Sequence, residues 1–138
     1  MIRKIVMATD TSEQAMKAFD WALDVARKYE ADLVVLAVSR PPEPAEVVET
    51  AAVLEGAKRY YEKHFTLLRE RAVAAGLSPR FEIRVGHPAE QIIHFANQEQ
   101  ADLIVMGHRG KTFVQRWLLG SVSKRVLSYA SCAVAIVR

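Results

Sequence analysis

The sequence predicts an α/β protein: a single open sheet of five parallel strands, doubly wound with four helices. Three observations predict it. Apolar, β-branched runs alternate strictly with stretches of helical character along the 138 residues, and strict alternation calls for right-handed βαβ crossovers. Two of the runs, "ADLVVLAVS" (31–39) and "ADLIVMG" (101–107), are apolar almost throughout, as strands covered on both faces must be. No low-complexity tract or long linker divides the chain, so residues 1–138 are expected to form one domain.

Each element has its own signal. "KIVMAT" (4–9) is a short apolar strand, and Asp10, Thr11 and Ser12 after it offer helix-capping chemistry, with Ser12 the better N-cap. Ala15, Ala18, Phe19, Ala22 and Ala26 recur at helical spacing, predicting a helix over 13–29. The strand 31–39 follows, then "RPPEPAE" (40–46) breaks the pattern. A second helix is expected from about 46 to Ala75, interrupted near Gly56 and closed by Gly76 at C′. "RFEIRVG" (80–86) alternates, which predicts an outer strand with one wetter face. Pro88 suits the first turn of a helix over 88–98, with Ile92, Ile93 and Ala96 inward. The strand 101–107, a helix from Ser121 to Tyr129 and the strand "CAVAIV" (132–137) complete the chain.

Composition narrows the class. Hydrophobic residues make up 51% and charged residues 25%, which fits a soluble globular protein. No apolar run approaches the roughly 18 residues of a membrane span, and no signal-peptide pattern opens the chain. Cys132 is the sole cysteine, which excludes an intrachain disulfide and a cysteine metal cluster. The cytoplasm is the compartment expected. The net charge of +3 hides an asymmetry: residues 103–138 contain no Asp or Glu but carry Arg109, Lys111, Arg116, Lys124, Arg125 and Arg138. That basic third is either a solvated face or a footprint for an anion. Nucleic acid is disfavoured, because the bases are few and not interleaved with aromatics.

Gly110-Lys111-Thr112 after a strand invites comparison with a P-loop. The comparison fails, because a Walker A loop needs four residues between its first glycine and Gly-Lys-Ser/Thr, whereas only His108 and Arg109 separate Gly107 from Gly110. A different arrangement is open. Gly107 and Gly110 leave the strand, nine residues intervene, and Gly120-Ser121 begins the last helix. Glycines permit close backbone approach, and a helix N-terminus presents unpaired N–H groups and partial positive charge suited to phosphate. Nine residues span up to about 30 Å when extended, enough to bring both glycine ends onto one triphosphate. The Ser121 and Ser123 hydroxyls are candidate donors there.

This Gly107-x2-Gly110-x9-Gly120-Ser121 pattern resembles that of the ATP-binding branch of the universal stress protein family. The resemblance runs along the whole chain, through "KIVMATDTSEQA", "LVVLAV", "VGHPAEQII", "ADLIVMGHRG", "LLGSVSKRVL" and "CAVAIV". It implies a Rossmann-like sheet of the adenine-nucleotide α-hydrolase type, with ATP across the ends of the first, second and fourth strands. Ala8, Thr9 and Asp10 would lie beside the nucleoside, with Asp10 accepting from the ribose hydroxyls, and Val38 would offer backbone groups to adenine. Gly107, His108, Arg109 and Gly110 would line the phosphates, and Gly120, Ser121, Val122 and Ser123 would close over them. Mg²⁺ or Mn²⁺ would be held through the phosphates rather than by protein ligands, and a homodimer would form through the C-terminal strand. Two departures stand out: Thr11 occupies a position that is often glycine in the family, and Ala133 follows Cys132 where proline is frequent.

Blander readings stay open beside these. Asp10 also serves as a turn residue, Ser121 as a plain N-cap, and Gly107 and Gly110 as ordinary turn glycines. His64, His87 and His94 share no ligand spacing with other metal-binding residues and read as structural. Trp117, Leu118 and Leu119 read as anchors that pack the loop down. The function expected is a nucleotide-dependent regulatory protein in the stress response; the alternative is a slow ATPase or adenylyl-transferring enzyme on the same fold.

Overall fold

The structure, a computed structural model, describes residues 1–41, 50–108 and 119–138. The order of elements is β1 (Lys4–Thr9), α1 (Glu13–Tyr29), β2 (Asp32–Ser39), α2 (Thr50–Ala74), β3 (Arg80–Val85), α3 (Pro88–Gln98), β4 (Leu103–Gly107), α4 (Ser121–Tyr129) and β5 (Ala133–Val137). The strands form one parallel sheet in the order β3-β2-β1-β4-β5. β3 lies at an edge, as its alternating sequence predicts, and β5 is the other edge.

Strand periodicity sorts the core into two layers. Ile5, Met7, Leu33, Val35, Leu103 and Val105 pack with Phe19 of α1 and with Phe65 and Leu68 of α2. Their neighbours Val6, Val34, Leu36, Ile104 and Met106 point the other way, onto Ile92 and Phe95 of α3 and Val126 of α4. β1, β2 and β4 are therefore apolar on both faces, because helices cover both. Full burial of a side chain such as Phe19 or Phe95 is worth about 1.5–3 kcal/mol each.

The helix ends follow their capping chemistry. Ser12 caps α1, its Oγ accepting from the Ala15 N–H at 3.1 Å. Gly76, at φ 78°, closes α2, with the Leu77 N–H donating to the Ala72 carbonyl at 2.9 Å. One expectation is corrected: α2 runs unbroken through Gly56. The helix keeps its line because Ala57, Tyr61, Phe65, Leu68 and Ala72 bury one continuous stripe, which outweighs the roughly 1 kcal/mol that an interior glycine costs. The expected helical residues 46–49 lie outside the described residues.

The two ends of the sheet differ. At the amino end, Asp102 Oδ2 accepts from the Arg3 and Lys4 N–H groups at 2.8 and 3.0 Å, which hold its carboxyl below the usual range. Glu99 bridges Arg80 at 2.9 Å and Lys4 at 3.4 Å. At the carboxyl end the strands open into a cleft. No helix among the described residues is long and apolar enough to cross a membrane.

Candidate functional site

The strand order sets the position of the cleft. From β1 the chain passes outward to β2 and β3, then crosses back to β4 on the other side of β1. The connections after β1 and β4 therefore diverge, leaving a crevice at their carboxyl ends. A cleft of about 660 Å³ lies there, lined by Ala8 and Thr9 of β1 with Asp10 just after it, by Leu36 and Val38 of β2 with Arg40 just after it, and by Met106 and Gly107 of β4. Leu119, Gly120, Ser121, Val122 and Ser123 line it from the start of α4. Nine of the twelve predicted residues thus share one cavity. His108 is buried and is not among the lining residues, while Arg109 and Gly110 lie outside the described residues.

The β1–α1 turn is held by its own side chains. Thr9 Oγ1 accepts from the Thr11 N–H at 3.3 Å, and Asp10 Oδ1 accepts from the Ser12 N–H at 3.0 Å. These are the local bonds by which Thr and Asp favour turns over helix interiors. The turn role of Asp10 is thus real, but it engages one carboxylate oxygen, and the residue still lines the cleft. Thr11, at the position where the resemblance often has glycine, adopts φ 72°.

The opposite wall is different in kind. Gly120, not Ser121, is the N-cap of α4; it makes no side-chain cap hydrogen bond, and the first turn contains no acid. The peptide N–H groups at this end are the orphans that every helix start leaves. The connection to β4 is short-circuited by backbone: the Gly120 N–H donates to the His108 carbonyl at 3.1 Å, and the His108 N–H to the Val137 carbonyl at 2.8 Å. Ser123 is buried, and its hydroxyl donates to the Gly107 carbonyl at 2.9 Å. Its proton therefore ties α4 to β4, leaving only its lone pairs for other partners. Gly107 has no left-handed φ. A Cβ there would meet Gln14 Cβ at 2.9 Å and the Gln14 carbonyl carbon at 3.0 Å, so this glycine admits α1 against β4.

Between these walls the cleft is apolar. Leu36, Val38, Pro88, Ile92 and Met106 line it together with Tyr61. Tyr61 was not among the predicted site residues, although its spacing with Phe65, Leu68 and Ala72 marks it as facing the sheet. Its hydroxyl points at the Val38 carbonyl, 3.4 Å away. Burial first, then Tyr60 and the Asp10 carboxylate, push the Tyr61 phenol up to about 12, so it is a neutral donor across the physiological range. Arg40 was also missed; it follows β2 and places a cation on the rim far in sequence from the basic third. Within that third, Arg125 is engaged elsewhere, 3.6 Å from Glu90 and stacked over Tyr129. Arg109, Lys111 and Arg116 lie outside the described residues.

His64 of α2, read from the sequence as structural, also comes near the site. Its Nε2 lies 2.8 Å from Thr9 Oγ1, so it reaches the wall of the cleft. Among the described residues no cluster of three or more His, Cys, Asp or Glu is placed to hold a metal ion. The arrangement suits a ligand with a flat apolar part, hydroxyls for a carboxylate acceptor, and an anionic end for a helix N-terminus.

The sequence model of the universal stress protein family matches residues 1–138. The universal stress protein MJ0531 of Methanocaldococcus jannaschii is 32% identical over 145 residues, covering 100% of this chain and 83% of that protein. Among solved structures, hypothetical protein MJ0577 matches with a TM-score of 0.87 at 28% identity, over 99% of this chain and 96% of that one. A universal stress protein crystallised in complex with cAMP matches with a TM-score of 0.77 at 28% identity, over 99% and 97% of the two chains.

Proposed function

The chain belongs to the universal stress protein family, and we propose that it is an adenine-nucleotide-binding regulatory member that takes ATP in this cleft. The observation that carries the reading is the pairing of two unlike walls: an Asp10 carboxylate on one side and the uncapped, acid-free start of α4 on the other. A nucleotide has matching parts. Its ribose hydroxyls donate to Asp10, its base fills the slot of Leu36, Val38, Ile92 and Met106, and its phosphates meet the N–H groups of α4. A relative in complex with cAMP supports an adenine ligand. The triphosphate follows from the spaced glycines Gly107, Gly110 and Gly120 and from the absence of acid in residues 103–138.

Within this proposal a divalent ion is carried by the phosphate oxygens. Signalling runs through a homodimer formed along β5, an edge strand of the sheet among the described residues. The chain acts in the cytoplasm. The alternative, a slow ATPase or adenylyl transfer, needs a group in line with the reacting phosphate. No acid follows Asp102, and Asp10 stands at the ribose side with one oxygen engaged.

Calorimetric titration with ATP and with adenosine tests the site. Gly120→Asp places a carboxylate at the N-cap, where phosphate is assigned. It should lower ATP affinity about a hundredfold through like-charge repulsion and leave adenosine within about twofold. Folding stability should hold or rise by a few tenths of a kcal/mol, because Asp caps better than Gly. Undiminished ATP affinity in this variant would remove the phosphate assignment.

A further inference from the structure

Thr11 is a β-branched residue in the left-handed region, at φ 72°. Such a conformation is costly for a side chain branched at Cβ and persists only where its surroundings over-determine it. Three contacts within the chain from Thr9 to Ala15 contribute: Thr9 Oγ1 with the Thr11 N–H, Asp10 Oδ1 with the Ser12 N–H, and Ser12 Oγ with the Ala15 N–H. The fourth comes from 55 residues away. His64 Nε2 sits 2.8 Å from Thr9 Oγ1, the shortest of the four distances.

A threonine hydroxyl offers one proton and two lone pairs. The Thr11 N–H takes one lone pair, so the imidazole contact fixes the rotor of Thr9, whether it accepts the hydroxyl proton or donates its own. Thr9 is only 6% exposed, so water is poorly placed to replace the histidine. The residue next along, Asp10, is the acceptor assigned to the nucleoside, and Thr9 itself lines the cleft. His64 therefore acts at one remove from the ligand.

We propose that His64 is a positioning residue of the nucleotide cleft: through Thr9 it holds the strained turn of residues 9–12 so that Asp10 faces the bound nucleoside. The inference rests on the nucleotide reading above. It makes α2 part of the binding apparatus, where the sequence offered only a structural helix.

Titration of the full chain with adenosine and with ATP provides the test. His64→Leu should weaken both ligands about five- to tenfold, the worth of one net hydrogen bond, and Thr9→Val, which also removes the acceptor of the Thr11 N–H, at least as much. The double variant should be no weaker than Thr9→Val alone, since that substitution already removes the His64 contact. His64→Gln, which keeps a polar atom near the Nε2 position, should stay within about twofold of wild type. In a Thr11→Gly background, where the left-handed turn carries no strain, the loss from His64→Leu should shrink below about twofold. Simple packing of α2 would leave that loss intact. Thermal unfolding identifies variants folded at the titration temperature, and Thr9→Val carries the test if His64→Leu is not. Additive losses, or a full loss persisting with Thr11→Gly, overturn the inference. Wild type binding both ligands with His64→Leu binding equally removes the inference alone; wild type binding neither removes the nucleotide reading and the inference with it.

Discussion

Helices α1 and α4 both begin at the rim of the cleft, yet α1 starts with a serine cap and Glu13 in its first turn, whereas α4 starts at a glycine with neither. A helix start is an electropositive group with unsatisfied donors in every case. At α1 the chain satisfies it internally, through Ser12 Oγ on the Ala15 N–H and an acid nearby. At α4 the same demand is left for something outside the helix. The difference teaches that a helix N-terminus is a candidate anion site only where, as at α4 among the described residues, no side chain caps it. Under the nucleotide proposal it also sets polarity: the anionic end of the ligand goes to α4, and its donor groups go to Asp10.

The two starts are not independent, and the joint between them is the place where a substitution should have the largest effect. Gly107 ends β4 with the α1 residue Gln14 pressed against it. Gly107→Ala drives a methyl group into Gln14 Cβ and its backbone, so α1 must move off the sheet. Denaturant unfolding should show a loss of about 1–3 kcal/mol, the range for overpacking. A neutral outcome would mean that α1 and β4 slide freely, and the fixed spacing of the two walls would go with it.

A smaller effect of opposite sign tests the strain at the β1–α1 turn. Thr11→Gly removes a left-handed, β-branched residue, which costs about 1–3 kcal/mol, and adds the roughly 0.5–1 kcal/mol entropic cost of glycine. The net expectation is a gain of about 1 kcal/mol, read as a higher denaturant midpoint with an unchanged slope. A loss of stability would show that the Thr11 side chain contributes more than its backbone costs, and the contrast between a strained wall and a relaxed one would fail.

These residues also show where sequence reading stops. The fold was legible because its signals are local or periodic: Ser12 before Ala15, Pro88 at a helix start, and strands 31–39 and 101–107 with no polar face. The glycine pattern is local too: Gly107 and Gly120 both line the cleft, while Gly110 lies outside the described residues. Gly56 misled because an interior glycine looks like a break until the stripe from Ala57 to Ala72 is seen packed on the sheet. Gly107, read as a ligand glycine, does line the cleft, and the approach of Gln14 adds a packing role that no spacing shows. His64 was illegible for a plain reason: its partner Thr9 lies 55 residues away, and no spacing rule links a helical histidine to a strand-end hydroxyl. Ser123 and Gly107 form the same kind of pair. Such contacts are products of the topology and are encoded only through it.

The smallest expected effect concerns Tyr61, which stands between the two walls on the apolar floor. Its phenol is pushed up to about 12 because burial disfavours phenolate, with Tyr60 and the Asp10 carboxylate adding to the same direction. In the unfolded chain the group titrates near its ordinary value of about 10. Below that value both states hold the proton, and the neutral phenol's contribution to stability is complete. As pH rises from about 10 towards 12, the unfolded state releases its proton first, so ionisation favours unfolding and the contribution is lost through that window. Wild type should therefore lose stability more steeply than Tyr61→Phe between pH 10 and 12, with the two curves parallel below pH 9. The measurement is a pair of denaturation midpoints against pH. Because the 3.4 Å contact with the Val38 carbonyl is long, the Phe variant should lie within about 1 kcal/mol of wild type at neutral pH. Parallel curves throughout would mean that water reaches the phenol, and the slot between the walls would then be wetter than a nucleobase site requires.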